Sequence, residues 1–317
     1  MADLESMPTE HRAKLRTVII AFVANVLVAA AKTVAAALTG SASMLAEAAH
    51  SWADAGNEVF LVIAERSSVK APDASHPLGY GREAYVWSLF AAFGLFTAGA
   101  VVSVQHGVQE LLKPEPTKDF AIAYLVLAIA AVLEGISLAQ SVVQARRTAA
   151  RIGRSTFDYA LNGSNSTLRA VLAEDSAALA GLTIAFLGIL LHQLTGNSLY
   201  DALGSLLIGL LLGVVALVLI NRNHRYLVGE EPHDSARKAV GDALMSHPEI
   251  ERLTYLHLEF VGPGQVYVVA AVDLMGDRRE EDVARQLRTI EHLVERNDLI
   301  QKIVLTLSVS DEPSIEF

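Results

Sequence analysis

"SMLAEAAHSWADAGNEVFLVIAE", residues 43–65, is apolar enough to be buried along its whole length, yet it carries Glu47, His50, Asp54, Asn57 and Glu58. Residues three, four and seven apart share one face of a helix, so Glu47, His50, Asp54 and Asn57 align as a single polar stripe. What such a stripe is for depends on whether it stands in water or in a bilayer, and that is decided by the sequence around it.

The surroundings are those of a membrane protein. The chain has 317 residues, 52% of them apolar, and long apolar runs alternate with short polar ones until about Arg225, after which the runs shorten. This divides it into an integral membrane half, residues 1–225, and a soluble half, residues 226–317. The soluble half holds 18 acidic against 9 basic residues and so supplies −9 of the net charge of −10. An acidic tail gives phosphates nothing to bind, which excludes nucleic acid as a partner. The chain has no cysteine, so a metal would be held by His, Asp, Glu, Asn or backbone oxygen. Those donors suit zinc, manganese, iron(II) or cobalt rather than copper(I).

A hydrocarbon core about 30 Å thick takes roughly 20 residues of helix to cross. Six segments fit: 16–38, 43–65, 84–110, 119–145, 167–193 and 199–220. Arg12, Lys14 and Arg16 precede the first as they would in a signal peptide, but its length and the five later spans make it a retained span. Arg66, Lys70 and Arg82 mark the second loop, Arg146, Arg147, Arg151 and Arg154 the fourth, and Arg222 and Arg225 follow the sixth span; loop three has only Lys113 and Lys118. The positive-inside rule places both termini in the cytoplasm or its topological equivalent, and the expected location is the cell (inner) membrane. In the tail, a helix over 234–246, strand-like "RLTYLHLEF" and "QVYVVAAVDL" around the turn "VGPG", a helix over 279–297 and a last strand "KIVLTLSV" give the order αββαβ.

A charge at mid-bilayer costs about 2.5 to 3.5 kcal/mol, so the stripe on span two must face water, partner residues or an ion. His50 and Asp54, one turn apart, can aim an imidazole nitrogen and a carboxylate at one point, which is metal-ligand spacing. The competing reading pairs them with each other in an interhelical network. Asn57 is a plausible further donor, and Glu47, near the span's entry, can reach headgroup water. A second helix must complete such a site, and span five offers Glu174 and Asp175 in "LRAVLAEDSAALAGL". Neighbours on a helix point about 100° apart, so one of the two faces an ion squarely; Asp175 is preferred, with Glu174 the close alternative. Lys32 and Glu134 read as a compensating ion pair, Asn25 and Gln140 as interhelical hydrogen-bonders, and Asp201 as the start of span six. In the second loop Asp73 and His76 stand three apart, as a weak secondary metal site or a solvated turn would have them.

"TGSASMLAEAAHSWADAGNE" on span two, "HPLGYGREAYVWSL" entering span three, the six-span body and the αββαβ tail together resemble the cation diffusion facilitator transporters over residues 10–312. "HPLGYGRE" and "AEDSAAL" are most similar to the branch containing zinc transporter 9 and its bacterial relatives. The resemblance implies an α-helical membrane protein of six transmembrane helices followed by a small cytosolic α+β ferredoxin-like dimerisation domain. It also implies a homodimer with a tetrahedral cation site in each body. The family's paired ligands on span two fall on His50 and Asp54, and those on span five on Val171 and Asp175. Val171 cannot ligate, so Glu174, Asn57 or a water takes that place. The family's loop metal motif is met by Asp73 and His76, but Tyr80 stands where a second His would be, and His233, His247, His257 and His292 do not reproduce its cytosolic metal site.

The expected function is efflux of a divalent cation, zinc first, by alternating access, with no prosthetic group and no catalysis. An imidazole with an ordinary pKa of about 6.5 gives up its proton on binding metal and regains it on release, so metal/proton antiport follows from the ligand chemistry. Two rivals belong to other classes: an intramembrane metal-dependent hydrolase, which would want an H-E-x-x-H motif the chain lacks, and a membrane-anchored scaffold acting through its tail.

Overall fold

The computed structural model describes residues 9–114, 119–151, 153, 155–162, 165–276 and 278–315. Lys118 and Arg154 lie outside the described residues. Helices α1 (Thr9–Thr39), α2 (Ala42–Ser68), α3 (Glu83–Gly94), α4 (Val102–Leu112), α5 (Phe120–Arg151), α6 (Thr156–Asn162), α7 (Ser166–Thr195) and α8 (Leu199–Val228) are followed by α9 (Asp234–Met245), β1 (Ile250–Gly262), β2 (Gln265–Leu274), α10 (Glu280–Val294) and β3 (Ile300–Leu307). The expected spans fall within a helix or a run of helices, except that the fourth begins at Phe120 and not at residue 119. The third differs in one respect: between α3 and α4 the helix widens into a π-helical segment, Leu95–Val101. Such segments are frequent at functional sites. The short α6 in the fourth loop was not expected either.

The chain forms two compact units. The first takes in α1, α2 as far as Val62, the chain from Trp87 through α6, and α7 and α8 between Thr167 and Asn221. Among the described residues, four stretches are long and apolar enough to cross a membrane: Glu83–Leu112, Phe120–Ala150, Ser166–Thr195 and Leu199–Val228. A shorter apolar stretch runs from Asn25 to Thr39, and Glu47, Asp54 and Glu58 burden α2 with charge.

Burial here is inverted relative to a water-soluble bundle. Alanines such as Ala35, Ala46, Ala53, Ala123, Ala177 and Ala185 pack inside, while Leu27, Leu125, Ile129, Val132, Leu210 and Leu217 face outward. Lipid exerts no hydrophobic push between helices, so small residues that let backbones approach provide the contact instead. Gly107 and Gly209 do this between α4 and α8: a Cβ on Gly107 would lie 2.7 Å from Leu206, and one on Gly209 would lie 2.9 Å from the Val104 nitrogen.

The start of α2 is held from α8. Asp201 accepts hydrogen bonds from Ser41 Oγ (2.9 Å), Ala42 N (2.8 Å) and Ser43 N (3.2 Å), and Ser43 Oγ donates to its carbonyl at 2.8 Å. Instead of merely opening its own helix at the interface, Asp201 is 1% exposed and caps another, placing a carboxylate where first-turn N–H groups lack partners. Asp201→Ala leaves those donors buried and unpaired, and a loss of about 1.5 to 3 kcal/mol is expected. Thermal unfolding of the detergent-solubilised protein measures it, with Asp201→Asn intermediate; an unchanged midpoint for Asp201→Ala would show that the cap contributes nothing.

The second unit takes in Ile63–Val86 and the chain from Arg222 on. Its sheet has the order β1-β2-β3, with β1 and β2 antiparallel and β2 and β3 parallel. Pro263 and Gly264 turn the hairpin, Gly264 at φ +74° where side-chain-bearing residues are strained. The parallel pair needs a crossover, which α10 supplies. Leu253, Leu258, Val268, Val272, Ile290, Ile303 and Leu305 fill the core, and the αββαβ order is as expected. The loop that follows α2 belongs to this unit. Gly81 touches the Val261 carbonyl so closely that any Cβ would collide with it, Arg82 pairs with Glu259, and Tyr85 stacks on Tyr226 at 4.9 Å.

Candidate metal site

On α2 the polar stripe is buried as its spacing implies: Glu47, His50 and Asn57 are at most 1% exposed. His50 Nδ1 lies 3.4 Å from Asp54 Oδ1, one helical turn on. Neither ring nitrogen of His50 has a hydrogen-bond partner, and Asp54 Oδ1 has none. Buried polar groups are nearly always satisfied, so an enclosed imidazole and a carboxylate oxygen that make no hydrogen bond leave donor atoms that could hold a further ligand.

The contributors from α7 separate by direction. Glu174 accepts a hydrogen bond from Asn57 Nδ2 at 3.0 Å, so it faces α2. Asp175 turns to α5 instead, accepting from Ser137 Oγ at 2.9 Å and Ser141 Oγ at 3.4 Å. The sequence reading prefers Asp175 as the ion's ligand; the carboxylate that bonds to α2 is Glu174. The roughly 100° between neighbouring helical residues separates the two carboxylates, but which one points at α2 is set by helix rotation, which periodicity does not reveal. Gly94, just before the π-helical segment, leaves room for Asn57: a Cβ there would lie 3.1 Å from Asn57 Oδ1. Glu58, one turn beyond Asp54, accepts from Asn25 Nδ2 at 2.6 Å, so Asn25 is an interhelical hydrogen-bonder as expected.

His50 and Asp54 thus meet on α2, Asn57 joins α2 to Glu174 of α7, and Asp175 stands against α5. Among the described residues, no group of three or more His, Asp or Glu stands in metal-holding geometry. The ion pair of Lys32 also differs from expectation. Its ammonium meets Glu47 Oε2 at 2.9 Å, not Glu134, and both partners are wholly buried. Glu47 is therefore no entrance group in contact with headgroup water; a helix crossing places it against α1, a contact invisible in either helix alone.

Asp73 and His76 sit in the loop after α2. Asp73 Oδ1 accepts from Ser75 N, Ser75 Oγ and His76 N at 2.8, 2.6 and 2.8 Å, and Oδ2 accepts from Tyr80 Oη at 2.7 Å. The His76 ring stacks on Tyr80 with centroids 4.0 Å apart. Tyr80, which occupies the position of the missing ligand, thus closes the turn. The hydrogen bonds from Ser75 and Tyr80 hold the Asp73 carboxyl below the usual carboxylate range. A depressed folded pKa stabilises the loop above the unfolded value of about 3.9, and that support fades as pH falls through the folded value. Loop protection, followed by hydrogen exchange, should therefore be flat between pH 5 and 8; a transition in that window would contradict this assignment.

With the geometry in place, comparison with known proteins places the chain. A family model described as the cation efflux transmembrane domain matches residues 18–228. Metal tolerance protein C4 of Arabidopsis thaliana is 37% identical over 233 residues, 74% of this chain and 51% of that protein. The human proton-coupled zinc antiporter SLC30A9, mitochondrial, is 36% identical over 261 residues, 82% of this chain and 46% of its own. Zinc transporter ZitB of Pectobacterium atrosepticum is 23% identical over 248 residues, 78% of this chain and 72% of its own. The chain spans about half the length of the first two relatives. A multi-pass helical body followed by an αββαβ unit, matched by the family model over two thirds of its length, belongs to the cation efflux family.

Proposed function

We propose that this chain exports a divalent cation from the cytoplasm by alternating access, in exchange for protons, and that zinc is the preferred cargo. The observation that carries the reading is His50, fully buried with neither ring nitrogen hydrogen-bonded and with Asp54 beside it. Names of relatives support the cargo and the coupling: one is a proton-coupled zinc antiporter, another a zinc transporter. His50 and Asp54 form the α2 half of the site. Glu174 is the direct contributor from α7, Asn57 holds Glu174 toward α2, and Asp175, held by two serines, is the supporting carboxylate. The donor set is rich in oxygen, so manganese, iron(II) and cobalt are admitted as competitors.

The reading extends to the whole chain. Residues 1–225 form a six-span transport body in the inner membrane, residues 226–317 a cytosolic ferredoxin-like domain that pairs two copies, and both termini lie in the cytoplasm. Asp73 and His76 stay outside the transport site, because the Asp73 oxygens are already committed within their own turn. Metal competition on the purified protein tests the cargo: zinc should displace manganese and cobalt at equal concentration. Preference for another of these ions would overturn the assignment of zinc.

A further inference from the structure

The transport site draws on His50, Asp54, Glu174 and Asp175 but leaves the buried Lys32 of the membrane body without a role. Lys32, on α1, is 0% exposed and paired at 2.9 Å with Glu47 Oε2. The second Glu47 oxygen, Oε1, is buried with no hydrogen-bond partner. It rests against Gly181 of α7, where any Cβ would collide with it. Glu47 stands three residues before His50, on the same face of α2. A fixed positive charge is thus held, through Glu47, against the helix face that carries His50 and Asp54.

If the pair served packing alone, it would be a costly choice, since a buried ion pair seldom outperforms well-packed apolar residues of the same volume. We propose that Lys32 is a tethered counter-cation of the transport cavity: it neutralises Glu47, offsets the neighbouring carboxylates when no cargo is bound, and weakens cargo binding enough for release. The inference rests on the transport site described above. Repulsion between the ammonium and the cargo keeps affinity moderate, and an exporter that binds too tightly turns over slowly. Gly181, having no Cβ, leaves room for the Glu47 carboxylate against α7.

The two partners should therefore shift affinity in opposite directions, which a packing role cannot do. In zinc titration of the purified full-length protein against a chromophoric competitor, Lys32→Met should bind zinc at least about tenfold more tightly than wild type, with slower zinc release in proteoliposomes. Glu47→Gln should bind at least about tenfold more weakly, because it removes a negative charge and leaves the ammonium unneutralised beside the site. A fold defect lowers affinity in both variants, so weaker binding by Lys32→Met, or unchanged affinity in both, overturns the proposal. Should Lys32→Met fail to fold, Glu47→Gln decides alone, with unchanged or tighter binding counting against it. Wild-type protein that binds no zinc would instead overturn the transport reading itself.

Discussion

His50→Ala should abolish zinc transport in proteoliposomes and weaken zinc binding at least about 100-fold, the upper end of what losing even a supporting group of a metal site costs. The size of the effect follows from position. His50 is fully buried with two unpaired ring nitrogens, so no neighbouring donor can substitute for it, and alanine leaves Asp54 Oδ1 facing a void. The substitution should not unfold the body. Losing a polar group that makes no hydrogen bond offsets part of the cost of the cavity, so the protein should stay folded, with a lowered midpoint at most, while transport is lost. Reduced stability with intact transport per folded molecule would assign His50 a packing role instead.

Glu174→Gln should weaken zinc binding about tenfold or more, and Asp175→Asn by less. Glu174 carries the hydrogen bond to α2, whereas Asp175 is occupied by Ser137 and Ser141 on α5. Isothermal titration of both variants separates them. An equal or larger loss at Asp175 would return the α7 contribution to the position that the family motif marks, and would imply that α7 rotates when cargo binds.

Much of the fold was legible because its signals are periodic and long. The expected spans fall within the helices to within one residue, and the tail strands 252–260 and 265–274 lie inside β1 and β2, because turn residues Pro263 and Gly264 sit between clear alternating runs. The π-helical segment Leu95–Val101 escaped notice because its apolar sequence reads equally well as ordinary helix. At the site, the shared face of Glu47, His50, Asp54 and Asn57 could be read from spacing within one helix. What could not be read were relations between helices. Lys32 pairs with Glu47 rather than Glu134, Glu174 rather than Asp175 bonds to α2, and Asp201 caps a helix 160 residues earlier in sequence. Each depends on rotation and crossing, which hydrophobic period leaves undetermined. The rival reading as a hydrolase is removed by the family, which is one of transporters and not of enzymes.

Coupling is the central claim, and proteoliposomes containing the wild-type protein, with zinc added outside and lumenal pH recorded together with lumenal zinc, test it most directly. Vesicles loaded with an acidic lumen should accumulate zinc while the lumen becomes more alkaline, and collapse of the pH gradient should stop both. Zinc entry at the same rate with and without the gradient, or with no change in lumenal pH, would contradict metal/proton exchange.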